Sequence, residues 1–285
     1  MPGDNPPSFC LSFGMLSRFR NAGLGLALLC FSASASAAPT PLSPEEIASA
    51  AKVDELSIPT PGELMAALNK LGKLDWPSKF RPPIATNFPS RPQMALNLGG
   101  LIADGYIAVE AQDSQQVKNI GKDIMALAKP LGVQQDIINR GKSLTQFAEE
   151  NQWDVLREEL EATQNEVKNA MAQNQDQSLV TLVTVGGWAR GTEVISGYLA
   201  EHYTEAGAKL VRQPAIIKFL NEKLDALPDK VRDDPAVKKT RVKLIEMGSA
   251  VSFPRTKTPT EEDMKQLNNL ASELVQGIST KEKKK

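Results

Sequence analysis

Two segments of this chain read as helices that are apolar around most of their circumference yet are notched with glycine. One is LVTVGGWARGTEVISGYLA, residues 182–200, and the other is LNLGGLIADGYIAV, residues 96–109. Each carries an apolar triplet with a polar middle residue, then Gly-Gly, then a charge three or four positions on, and later a Gly-Tyr pair. A helix without a broad polar face belongs in the centre of a fold. Glycine inside a helix costs roughly 1 kcal/mol relative to alanine, so its retention needs a compensating gain. Close helix–helix approach supplies one, because a missing side chain lets two backbones come nearer than the usual spacing of roughly 8–10 Å. Gly99, Gly100 and Gly105 on one segment, and Gly186, Gly187 and Gly191 on the other, are therefore assigned to helix packing. The same small-residue pattern serves membrane helices, but Arg190 and Glu193 disfavour a free-standing bilayer span.

Projection at about 100° per residue refines this picture. Gln93, Asn97 and Asp104 fall on one narrow stripe, with Gly100 beside them. Arg190, Glu193 and Glu201 share an arc with Gly186 and Gly197, while Gly187 and Gly191 lie on the apolar side near Tyr198. Two arrangements satisfy these stripes. Either they meet, and Asp104 pairs with Arg190 across the two helices, or both face water. Asn97, Asp104, Arg190 and Glu193 are thus the candidate polar site. The two segments do not align without a gap, so descent from an internal duplication is a weaker reading than independent use of small residues.

The remainder of the chain is helical in pattern. Ser43-Pro44-Glu45-Glu46, Thr60-Pro61-Gly62-Glu63 and Thr258-Pro259-Thr260-Glu261 share a start recipe of hydroxyl cap, proline and acidic residue. Asp113 with Gln116, Asn151 with Asp154, and Asp234-Pro235 are looser versions. Strand signals are nearly absent. Only LVTLVTV at 179–185 invites hesitation, and its apolar continuation to Leu199 favours one long helix. Helices are predicted at about 43–53, 61–73, 92–112, 114–130, 134–149, 152–174, 178–204, 206–225, 234–251 and 259–279. Residues 75–92, with five prolines, form an extended loop. The expected fold is all-α: a single domain of about 8–10 helices, with the two Gly-Gly helices central and closely packed. Along the chain this divides into N-terminal helices and a proline-rich loop (38–91), a helical core (92–254), and a C-terminal helix with a lysine-rich tail (255–285).

Residues 1–37 stand apart. Arg18 and Arg20 precede an apolar run at 22–31, and Ala35-Ser36-Ala37 supplies an A-x-A cleavage pattern, which together make a secretory signal peptide. Met15 opens this signal cleanly and is the expected true start. Cys30 lacks the small preceding residue of a lipobox, since Leu29 stands there. Cleavage removes both cysteines, Cys10 and Cys30, so the mature chain uses no disulfide. Its charge becomes 31 basic against 33 acidic residues, net −2, which does not point to nucleic acid. No further apolar run is long enough for a transmembrane span.

Chemistry is hard to find. The one histidine, His202, cannot build a histidine-rich metal site and no G-x-S-x-G elbow accompanies it. A triad would have to recruit Ser196 with Glu201 or Glu205. Gly186-Gly187 fits neither G-x-x-x-x-G-K-[ST] nor G-x-G-x-x-G. The eleven aromatic residues after position 37 are too sparse for stacking platforms. No catalytic residue, cofactor or metal is assigned. The expected protein is exported and non-catalytic, with a binding or structural role in the periplasm or cell exterior, its partner unknown: another exported protein or an apolar ligand. One alternative is a carrier enclosing an apolar ligand between the two Gly-Gly helices. Another is an enzyme using Asp104, Arg190 and Glu193, which requires a concave site that gathers them.

Overall fold

Most helices in the computed structural model begin where a side chain satisfies the orphan N–H groups of the first turn. The structure describes residues 58–252 and 256–281. The signal-peptide region, the Ser43 start with its helix at 43–53, and lysines 283–285 lie outside them. Thr60 caps α1 (Pro61–Asn69): its hydroxyl accepts from Glu63 N at 3.2 Å while the Glu63 carboxylate accepts from Thr60 N at 2.7 Å. Ser90 caps α2 (Arg91–Glu110), and Asp113 caps α3 (Ser114–Leu131). α3 closes on Gly132 at φ 82°, a left-handed position that glycine adopts without strain. α4 (Gln134–Glu149), α5 (Trp153–Gln173) and α6 (Gln177–Glu201) follow. Then come α7 (Glu205–Val211), α8 (Pro214–Asp225), the single turn α9 (Asp229–Arg232), α10 (Pro235–Val251) and α11 (Glu261–Ser279).

The fold is all-α: among the described residues there are ten helices of seven residues or more and no strand. The LVTLVTV run is helical: the Thr184 hydroxyl donates to the Val180 carbonyl at 2.9 Å, four residues back, so a β-branched polar residue sits in a largely buried helix without an orphan group. No described helix is long and apolar enough to cross a membrane, and no described residue is a cysteine.

Four boundaries correct the sequence reading. The helix expected at 206–225 is two helices, because Pro214 lacks an N–H and pushes Gln213 out of the helical region (ψ 62°). α1 stops at Asn69 rather than 73. Asn151 is not a cap; it sits in a left-handed turn at φ 57°, and α5 starts at Trp153. α11 begins at Glu261 rather than 259, because the Thr260 hydroxyl takes Asp263 N at 3.2 Å and Asp263 returns to Thr260 N at 2.7 Å, while the Pro259 carbonyl accepts from the Tyr203 hydroxyl. The Thr260 backbone N–H holds the Asp263 carboxyl below its ordinary value of 3.8, helped by the Thr260 hydroxyl and Lys257. A depressed carboxyl stabilises the fold above its unfolded pKa and loses that contribution as pH falls through the folded value. Thr260→Ala is therefore expected to lower stability by about 1 kcal/mol at neutral pH. In urea titrations the gap between variant and wild type should narrow below pH 4.

α2 and α6 form the centre and share the most extensive interface, followed by α6 with α11. Both central helices are buried on nearly every side, as their lack of a polar face requires. α3, α4 and α5 stack in sequence beyond α2, and α8, α10 and α11 form a second group joined to α6.

Candidate functional site

The two Gly-Gly helices cross in direct backbone contact. A methyl group placed on Gly99 would overlap the Val183 carbonyl oxygen and lie 2.7 Å from Gly187 N. One placed on Gly186 would overlap the Leu96 carbonyl oxygen. Gly187 faces the Gly99 carbonyl and the Pro61 ring, and Gly191 faces the Leu64 side chain, so α1 covers the apolar glycine face of α6. No room for a ligand exists between α2 and α6 at the crossing, and the carrier site expected there is excluded.

The polar stripes meet protein rather than water. Arg190 Nε donates to Asp104 Oδ1 at 2.8 Å, with the two side chains 6% and 9% exposed. Arg190 Nη1 donates to Glu193 Oε2 at 2.7 Å and Nη2 to the Lys79 carbonyl at 2.6 Å. Arg81 Nε reaches the second oxygen of Asp104 at 2.6 Å. Burial pulls the Arg190 guanidinium down, but Asp104 and Glu193 outweigh it and hold the pKa above the ordinary value. Asn97 and Gln93 serve differently: their amide N–H groups donate to the Ile278 carbonyl at 2.9 and 3.0 Å, capping the C-terminal end of α11. Each nitrogen of the Arg190 guanidinium thus has a protein acceptor, and the cluster works as an internal cross-link between α2, α6 and the proline-rich loop. Ser196 is buried with its hydroxyl on the Thr192 carbonyl at 2.6 Å, while His202 caps α6 and lies against the Tyr198 ring. These residues do not assemble into a triad. Among the described residues no group of three or more metal-ligating side chains is gathered.

The sequence pattern missed an open volume among the outer helices. Between α2, α3, α4 and α5 lies a cavity of about 560 Å³, within the range of sites for small organic ligands. Leu98 and Ile102 form its wall on α2, Ile124 and Met125 on α3, and Leu156, Leu160 and Val167 on α5. Three helices contribute a glycine to the lining: Gly105, Gly121 and Gly141. A methyl group at Gly121 or Gly141 would meet nothing within 4 Å, and one at Gly105 would make only ordinary contacts with Ile120 and Leu160. Gly105 therefore does not serve helix crossing. Gly100 does not either: it leaves space for the Arg81 guanidinium, whose Nη2 would lie 3.2 Å from an added methyl.

Polar groups in the cavity lining are few. Thr145 and Thr163 donate to carbonyls four residues back. Gln164 is 5% exposed, and its side-chain oxygen has no hydrogen-bond partner. Lys118 pairs with Glu149 at 2.6 Å. Lys122, exposed at the surface end of the lining, has no ion-pair partner among the described residues. It also lines a smaller recess of about 260 Å³ on the other side of α3, floored by Arg81 and Asp104.

Comparison of the chain with protein-family models, with curated proteins and with solved structures finds no match.

Proposed function

We propose that this is an exported, non-catalytic binding protein that carries an apolar small molecule in the cavity between α2, α3, α4 and α5. The observation that carries this reading is the pair of helical glycines facing empty space. Gly99 and Gly186 offset their cost by letting two backbones touch. Gly121 and Gly141 have no such gain: each gives up roughly 1 kcal/mol of helix propensity and packs against nothing. Stability forgone without packing return is expected where a site must stay open. Export rests on the A-x-A signal pattern, and the absence of cysteine after position 30 suits a chain large enough to bury its own core.

Filling the cavity tests the reading. Gly121→Leu and Gly141→Leu are expected to raise the thermal midpoint by a few degrees each, from roughly 1 kcal/mol of helix propensity plus apolar burial. The same variants should lose binding of the neutral fluorophore N-phenyl-1-naphthylamine, followed by its fluorescence increase. Failure of the wild-type protein to bind the probe, or equal binding by both leucine variants, overturns the proposal. Native mass spectrometry of the exported protein should show a retained mass that disappears in the leucine variants.

A further inference from the structure

Resting on that reading, we infer that the natural ligand is a single-chain amphiphile with an anionic head, its chain in the α2–α5 cavity and its head group on Lys122. Three observations carry this. First, the charged residues in the lining are both cationic: Lys118 and Lys122 belong to it, and no aspartate or glutamate does. Glu149 balances Lys118 from outside the lining, and Asp123 lines the separate recess across α3. Second, Lys122 is an exposed member of the apolar lining and holds no ion pair among the described residues, so its ammonium is available to an anion. Third, the volume sets the ligand's size. At about 560 Å³ with an almost wholly apolar lining, the cavity is of the size that takes one small organic ligand, and a single aliphatic chain suits it. The long aliphatic stem of Lys122 suits this role, since it can lie along the apolar rim while the ammonium stays wet.

The test is displacement of N-phenyl-1-naphthylamine from the full exported protein by dodecanoate, dodecan-1-ol and dodecylammonium. These share one chain and differ in head charge. Dodecanoate is expected to displace the probe about tenfold more tightly than the alcohol, the scale of one charge-assisted bond, and dodecylammonium most weakly. Lys122→Gln should remove the advantage of the acid while leaving alcohol binding unchanged, and Lys122→Arg should restore it. Because Lys122 is exposed and unpaired, the glutamine variant is expected to fold, which circular dichroism checks. Equal displacement by acid and alcohol, or a preference that survives Lys122→Gln, overturns the head-group assignment while the apolar cavity stands. If none of the three amphiphiles displaces a probe that does bind, the amphiphile assignment fails. If the probe does not bind, the carrier reading fails with it. Phosphatidylglycerol vesicles supply the other source of an anionic chain. Displacement by the vesicles in preference to free dodecanoate overturns the single-chain assignment.

Discussion

Gly186→Ala is expected to be among the most destabilising single-methyl substitutions in this protein. An alanine Cβ at that position would occupy the space of the Leu96 carbonyl oxygen. A backbone atom of a buried helix cannot turn aside as a side-chain tip can, so α2 and α6 must separate along their whole contact. Overpacking of an ordinary core site costs about 1–3 kcal/mol, and a clash with backbone belongs at the upper end or beyond. The helix-propensity gain of alanine over glycine returns only about 1 kcal/mol of this. Gly99→Ala, against the Val183 carbonyl, should behave alike. Gly191→Ala meets the tip of Leu64, and Gly105→Ala meets only ordinary contacts, so both should be far milder. Urea midpoints of the four variants give the comparison. If Gly186→Ala unfolds no earlier than Gly105→Ala, the backbone crossing is not as described.

Arg190→Met carries the second large effect. It leaves Glu193 without a partner and strips Asp104 of one of its two arginines. Breaking a buried pair by removing one member typically costs about 3–5 kcal/mol, because the remaining charge is uncompensated. Asp104→Asn should be comparably severe, since Arg81 then loses its carboxylate and the buried Arg190 keeps only Glu193. The double replacement Asp104→Leu with Arg190→Met should cost clearly less than the sum of the single changes, the signature of direct coupling. An exposed pair such as Lys218–Glu222, at 3.6 Å, provides the control, with an expected loss below about 1 kcal/mol. Additive behaviour of Asp104 and Arg190 in chemical unfolding would remove the cross-link from the account.

The central pair of helices was legible in the sequence because two simple signals coincide there: an apolar circumference and glycine clusters with no turn chemistry around them. Asp104 and Arg190 were recognisable as candidates for the same reason, Asp104 as a charge within an apolar stretch and Arg190 as a charge beside Glu193 in another. Their partners were not. Arg81 lies in a proline-rich loop without periodicity, and the Lys79 carbonyl is a backbone group that no side-chain pattern records. Helical projection also cannot say what faces a stripe, and so left open whether Gln93 and Asn97 met water or, as they do, the end of α11. The cavity was invisible for a deeper reason. Gly121 and Gly141 look in sequence like mild flaws in amphipathic helices, and only the packing of α3 against α4 and α5 shows that their missing side chains coincide in one volume. The break at Pro214 was readable from the Gln213-Pro214 dipeptide, and the apolar pattern running through it concealed it.

The glycine crossing at Gly99 and Gly186 divides the molecule by mechanical character. On one side of it, two backbones locked together and cross-linked by Arg190 make a stiff spine that tolerates no added atom at Gly99 or Gly186. On the other, α3, α4 and α5 turn part of their faces to an open volume, where Gly121 and Gly141 meet no neighbouring atom. Low contact density is where local opening is least costly. The proposed guest would then enter on the side away from the crossing, so that loading and unloading the cavity would not touch the part of the fold on which its survival depends.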